Sequence, residues 1–135
     1  MSDPQISIII ENYNASKMLD DCIVSIKQYS ADIDKEIIVV DNNSDDTIQW
    51  VAEKHNDVIF ILNQENYGFA KANNQGIAIA RGKYILILNN DTLFVEKTLN
   101  EIIGFYESQS DKLFIGCKLI NADGTMQNSV MSLSL

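Results

Sequence analysis

Residues 6–10 read Ile-Ser-Ile-Ile-Ile, a run apolar on both faces of any extended strand. Such a strand belongs inside a parallel sheet, with cover above and below it. The pattern recurs at Glu36 to Val40, Val58 to Leu62, Tyr84 to Leu88 and, more briefly, Leu113 to Gly116. Between these runs the apolar period changes from two to about 3.6. Leu19, Cys22, Ile23, Ile26 and Tyr29 share one helical face; Ile48, Val51 and Ala52 begin a second. Phe69, Ala72, Asn73, Gly76, Ile77 and Ala80 mark a third, and Leu99, Ile102, Ile103 and Tyr106 a fourth. Ser44 is placed to cap the second helix, with Asp45 and Asp46 in its first turn, and Gly82 to stop the third. Asp123-Gly124 reads as a hairpin turn. Strands alternating with helices predict an α/β fold, a Rossmann-like, doubly wound, mostly parallel sheet.

At 135 residues, 46% of them hydrophobic, the chain suits one domain with a core of its own. Its net charge of −9 repels phosphate backbones, which argues against nucleic acid as a partner. A single nucleotide is still compatible, because one cation can reverse the field locally. Two distant cysteines and one histidine supply neither a disulfide framework nor a zinc site, so Cys22 and Cys117 read as reduced thiols and the setting as cytoplasmic. No apolar run approaches the ~18 residues of a transmembrane helix. His55, near a helix end, reads most simply as a dipole partner.

Ligands of doubly wound sheets bind beyond the carboxyl ends of the strands. There the chain offers Glu11-Asn12-Tyr13-Asn14, Asp41 to Asp46, Asn63 to Gly68, and Asn89-Asn90-Asp91-Thr92. Amides and carboxylates of this density can hydrogen-bond a base, a ribose and a sugar, and can hold a hard cation. The first loop has no glycine, which excludes a dinucleotide-binding fingerprint, and no P-loop is present. A receiver-like signalling module would carry its acids after strands one and three, whereas here they follow strands two and four. Each loop also has a plainer reading: Tyr13 as a packing aromatic, Asp41 as a cap, Asn89-Asn90-Asp91 as a polar turn, Lys71 and Arg81 as surface charges.

Taken in order, these segments resemble family 2 glycosyltransferases over nearly the whole chain. Residues 7–14 are similar to the family's opening strand, and 39–46 to its second-strand motif. Residues 66–77 resemble the glycine-phenylalanine-alanine helix start of its rhamnosyltransferase-like branch. Residues 80–92 look like the strand bearing its Asp-x-Asp metal element, and 116–125 like the hairpin that follows. The resemblance implies a glycosyltransferase A-type fold, truncated at the C-terminus so that the acceptor-side half is absent. It implies inverting transfer from a UDP- or dTDP-sugar to a glycan or lipid-linked acceptor, in bacterial polysaccharide or cell-wall synthesis at the cytoplasmic face of a membrane. A non-catalytic nucleotide-sugar-binding module is the alternative.

Carried over by position, Tyr13 packs on the base and Asn14 orients it, while Asp41 accepts a pyrimidine imide N–H. Lys71, Asn74, Asn90 and Arg81 lie near the diphosphate or sugar. Asp91, with Asn89, binds Mg²⁺ or Mn²⁺. The chain departs from the family pattern in having Asn89 in place of aspartate and Glu11 in place of a small or apolar residue. The family's catalytic base lies past Leu135. An apolar face left where the missing half would dock predicts homo-oligomers; sedimentation velocity should show species larger than a monomer, and a single monomeric boundary would refute the expectation.

Overall fold

The computed structural model describes residues 2–45, 47–111 and 114–127. Its strands are β1 (Ile6–Asn12), β2 (Lys35–Asp41), β3 (Ile59–Leu62) and β4 (Tyr84–Asn89). They alternate with helices α1 (Ser16–Tyr29), α2 (Ile48–Lys54), α3 (Phe69–Ile79) and α4 (Thr98–Ser108). The chain divides into two units, residues 1–98 and 99–135.

In the first unit the four strands are all parallel, in the order β3-β2-β1-β4. The order reverses direction at β1, so right-handed crossovers put α1 and α2 on one face and α3 on the other. Ile8, Ile9 and Ile10 of the central strand are fully buried, as are Ile38, Val39 and Val40 beside them. Burying each such side chain contributes about 1.5–3 kcal/mol. The outer strands are not covered on both faces as the sequence suggests. In β4 the side chains alternate, with Ile85 and Ile87 about half exposed, and β3 is open at both ends.

α3 packs directly on β1 and β2. Gly76 makes the close approach possible: a Cβ there would lie 2.5 Å from Ile9 Cγ2. On the opposite face, α1 and α2 are clasped by buried polar groups. Asp20 accepts hydrogen bonds from His55 Nε2 at 2.7 Å and Lys54 Nζ at 2.8 Å. Lys27 Nζ lies 3.2 Å from His55 Nδ1 and, being an ammonium, can only donate. His55, at the C-terminal end of α2, is buried between the Asp20 carboxylate and the Lys27 ammonium of α1.

Two helix-end expectations change. Ser44 does not cap α2, which begins three residues later than a Ser44 cap would start it, with no side-chain cap bond from Thr47. Asp41 has taken both the amide and the hydroxyl of Ser44. Asp46 lies outside the described residues. Gly82 does not stop α3, which ends at Ile79 with Ala80 already extended. Gly82 is instead pressed against β1, where a Cβ would meet Ser7 N at 2.4 Å and the Ile6 carbonyl carbon at 2.6 Å.

That contact belongs to a polar cluster at the amino end of the sheet. The buried Glu36 carboxylate accepts from Ser7 Oγ and Arg81 N, each at 2.6 Å, and from the Arg81 guanidinium at 3.3 Å. Gly82 N donates to Ser7 Oγ at 2.8 Å. Burial works to raise the Glu36 pKa, but hydrogen bonds from Ser7 and Arg81 outweigh it and hold the carboxyl below its usual range.

The second unit contains most of α4, whose bounds match the predicted stripe. Residues 114–116 are irregular rather than a fifth strand, and Leu113 lies outside the described residues. The predicted turn is present: Ile120 bridges Met126 antiparallel around Gly124, whose φ is 85°. The tail, residues 128–135, lies outside the described residues.

Two outcomes follow from the amino-end cluster. Gly82→Ala must move backbone and should cost about 2 kcal/mol in urea unfolding; a change near zero would refute the close-approach role. Glu36 has a depressed pKa, so its contribution is complete above its unfolded value of ~4.3 and is lost as pH falls through the lower folded value. The stability gap between wild type and Glu36→Gln should therefore narrow on acidification below about pH 4. A pH-independent gap would refute the assignment.

Candidate nucleotide-sugar site

The carboxyl ends of β1, β2 and β4 are joined by one side chain. Asn12, the last residue of β1, is fully buried. Its Nδ2 donates to Asp41 Oδ1 at 2.9 Å, and its Oδ1 accepts from Asn90 Nδ2 at 2.9 Å. The register already sets Asn12 opposite Asp41 and Glu11 opposite Asn89. Of these contacts, the amide of Asn12 is the one that carries the link sideways across three strands. An amide is suited to this, because it donates at one end and accepts at the other.

Asp41 is 2% exposed. Its Oδ1 accepts from both Asn12 Nδ2 and Ser44 Oγ, and its Oδ2 from Ser44 N at 2.9 Å. The carboxylate expected to face a base is thus turned inward and shapes the loop that follows it. Ser44 Oγ in turn accepts from Asn14 N at 2.9 Å, and Asn14 Oδ1 accepts from Asp45 N at 2.6 Å. Asn14 and Asn43 both adopt left-handed backbone, with φ of 48° and 62°, which asparagine tolerates better than most residues. Asn14 therefore stitches two loops together. Tyr13, between Asn12 and Asn14, is 45% exposed at this rim.

Asn89 and Asp91 are exposed on the turn after β4. Cys22 of α1 lies beneath that turn, its Sγ 3.9 Å from the Asn89 carbonyl oxygen. Burial, with the Asp91 charge adding to it, pushes the Cys22 thiol up to about 12, so it is inert as a nucleophile. Both cysteines are unpaired thiols, as the sequence suggests.

The loop between β3 and α3 closes the rim on the β2 side. Gly68 has a φ of 81° and precedes α3. Lys71, in the first turn of α3, holds its ammonium 3.6 Å from the centre of the Tyr67 ring, and Asn74 is exposed farther along the helix. Arg81 does not join the group. It precedes β4, at the opposite end of the sheet, and is engaged with Glu36. Tyr13, Asn14, Asp41, Asn89, Asn90 and Asp91 thus share one rim, Lys71 and Asn74 lie on the helix that begins beside it, and Arg81 is excluded.

Four residues assigned no individual role from sequence are structural to this rim: Asn12, Asn42, Asn63 and Gln75. The available signal was position, since amides at or just past the carboxyl ends of apolar strands, as Asn12, Asn42 and Asn63 are, must find partners inside. The donors suited to a cation are thin. Among the described residues no group of three or more His, Cys, Asp or Glu side chains is placed to hold a metal ion. One exposed carboxylate with neighbouring amide oxygens fits a hard cation only if the ligand supplies the remaining oxygens.

The chain matches the model of "Glycosyl transferase family 2" over residues 7–133. It is 33% identical over 116 residues to an uncharacterized glycosyltransferase of Methanocaldococcus jannaschii, covering 82% of this chain and 40% of that protein. It is also 33% identical over 90 residues to the poly-beta-1,6-N-acetyl-D-glucosamine synthase of Staphylococcus aureus, covering 65% of this chain and 22% of that protein. Among solved structures, residues 1-349 of S. aureus TarS superpose with a TM-score of 0.66 at 23% identity, over 76% of this chain and 32% of that one. A mannosyltransferase of Pyrobaculum calidifontis, solved with GDP-mannose and Mn²⁺, gives 0.65 at 23% identity, over 82% of this chain and 34% of that one. The chain thus spans well under half the length of these proteins. The likeness in fold is to A-type glycosyltransferases, and a receiver-like reading is set aside. With its sheet order, its polar rim and its match from residue 7 onward all agreeing, the chain belongs to glycosyl transferase family 2.

Proposed function

We propose that this chain is the donor-binding part of an inverting glycosyltransferase that takes a UDP- or dTDP-sugar and serves a glycan or lipid-linked acceptor. The observation that carries the reading is the convergence of Tyr13, Asn14 and the Asn89–Asp91 turn on one rim through Asn12. Tyr13 offers a half-exposed ring on which a base can stack. Lys71, three residues past Gly68, is suited to a phosphate, once drawn from the Tyr67 ring.

A pyrimidine donor is supported by the relative TarS, which has been solved with UDP, while the Pyrobaculum relative carries GDP-mannose. In this chain Asp41 Oδ2 accepts one bond, from Ser44 N, and has a lone pair left for the imide N–H of uracil or thymine, provided the loop opens to admit the base to this buried group. Asp91, with Asn89 or Asn90, would hold Mg²⁺ or Mn²⁺ together with the donor's diphosphate oxygens. The cation, when bound, supplies positive charge against which the diphosphate can leave. The chain's own residues bind and orient the donor. The base that takes the acceptor's proton is not assigned among them. No helix among the described residues is long and apolar enough to cross a membrane.

Calorimetry of the 135-residue chain with UDP, dTDP and GDP, each with and without Mn²⁺, tests the reading. UDP or dTDP should bind more tightly than GDP, with Mn²⁺ tightening the complex. Asp91→Ala should weaken binding in Mn²⁺ by roughly ten-fold or more. Absence of binding to every nucleotide, or a preference for GDP, would end the proposal in its present form. If the donor binds but is never hydrolysed or transferred even by the longest natural form of the protein, the non-catalytic module replaces the enzyme.

A further inference from the structure

We propose that Glu11 is a positioning residue: its carboxylate fixes the orientation of the Asn42 amide, and that amide holds the turn from which α3 and Lys71 start. The effect on ligand binding rests on the donor-site reading above; the effect on the turn does not. Glu11 is half-buried near the end of β1, in register with Val40 of β2 and Asn89 of β4. Its Oε1 accepts from Asn42 Nδ2 at 3.0 Å. Asn42 is fully buried just past β2. Its Nδ2 also points at the Gly68 carbonyl oxygen, 3.4 Å away. Its Oδ1 accepts from Asn63 Nδ2 at 3.0 Å and from the Tyr67 backbone N–H at 3.3 Å. Asn63 and Gln75 of α3 exchange a reciprocal pair of bonds at 2.8 and 2.9 Å. The relay therefore runs from β1 through the ends of β2 and β3 into α3.

An asparagine amide has two ends of nearly equal size and opposite polarity, so its neighbours decide which way it faces. On one side of Asn42 stand acceptors, the Glu11 carboxylate and the Gly68 carbonyl. On the other stand donors, Asn63 Nδ2 and Tyr67 N–H. A carboxylate only accepts, and its charge strengthens the bond, so Glu11 biases the amide more firmly than the long Gly68 contact can. Flipping the amide would set oxygen against oxygen at Glu11 and Gly68 and leave the Tyr67 N–H without its acceptor. Without Glu11 the only acceptor left for the Asn42 Nδ2 is the long Gly68 contact, and the amide is oriented mainly by the two donors at its oxygen. The turn that carries the Tyr67 ring, and with it the Lys71 ammonium stacked 3.6 Å from the ring centre, is then held less firmly to the end of β2. This accounts for a carboxylate at a strand position where an apolar residue would otherwise suit the sheet.

The test uses the full chain and three proteins: wild type, Glu11→Ala and Glu11→Gln. Hydrogen exchange followed by NMR reports the turn directly. In Glu11→Ala the Tyr67 amide should exchange about ten-fold faster, while amides within β1 and β2 keep their protection. Glu11→Gln, which retains an accepting oxygen, should restore most of that protection. UDP affinity in Mn²⁺ should follow the same order, weakened about ten-fold in Glu11→Ala and largely recovered in Glu11→Gln. Unchanged Tyr67 exchange in Glu11→Ala would overturn the proposal, and so would an equal loss of protection throughout the sheet. Faster Tyr67 exchange with unaltered UDP affinity would overturn the link to the ligand. Failure of the wild type to bind any nucleotide would strike the donor-site reading, while the exchange arm would still decide the role of Glu11.

Discussion

The arrangement of this molecule turns on the side chain of Asn12. A parallel sheet delivers its loops to one edge but does not fix them there. Asn12 does so by donating to Asp41 on one side and accepting from Asn90 on the other, from a position with no access to water. A buried amide with either end unsatisfied would cost about 1–3 kcal/mol, so each of its partners is held as strictly as Asn12 itself. The polar rim is for this reason an extension of the core.

A second polar cluster sits at the far end of the same strands. Glu36, Ser7 and Arg81 tie the amino ends of β1 and β2 to the segment entering β4. Each end of the sheet has one buried carboxylate, Glu36 or Asp41, satisfied by a serine and by backbone N–H groups. The two clusters differ in what surrounds them. At the amino end Ser7 and Glu36 are buried and bonded to each other, and Glu36 to Arg81. At the carboxyl end Tyr13, Asn89 and Asp91 remain exposed.

The element types and their order were legible in the sequence, because isoleucine-rich runs and helical stripes leave few alternatives. The ends of elements were less so. Ser44 has the composition of a helix cap, yet Asp41 three residues earlier competes for the same hydroxyl and amide, and a buried carboxylate is the stronger claimant. Gly82 reads as a helix stop, while its real constraint is the backbone of Ser7, seventy-five residues away in the chain. The rim was legible as a set of polar loops after strands, but the roles within it were not. For Asp41, sequence does not show that the carboxylate is buried and already accepts from Asn12 and Ser44. Arg81 looked like a phosphate contact because a cation just before a strand gives no sign of which end of the sheet it serves. Glu11 had no local explanation, since its partner Asn42 lies on another strand.

Gly76 has a reach beyond packing. With hydrogen in place of a methyl group, α3 settles against Ile9 and Val40 at a height that leaves no room to slide. Lys71 lies five residues earlier on the same rigid rod, about 7.5 Å along its axis. The distance from that ammonium to the edge of the sheet is thus dictated by a hydrocarbon contact deep in the interior. Variation at Ile9, remote from solvent and from any ligand, would be transmitted along the helix like a change in the length of a lever, and would surface as altered chemistry at its tip.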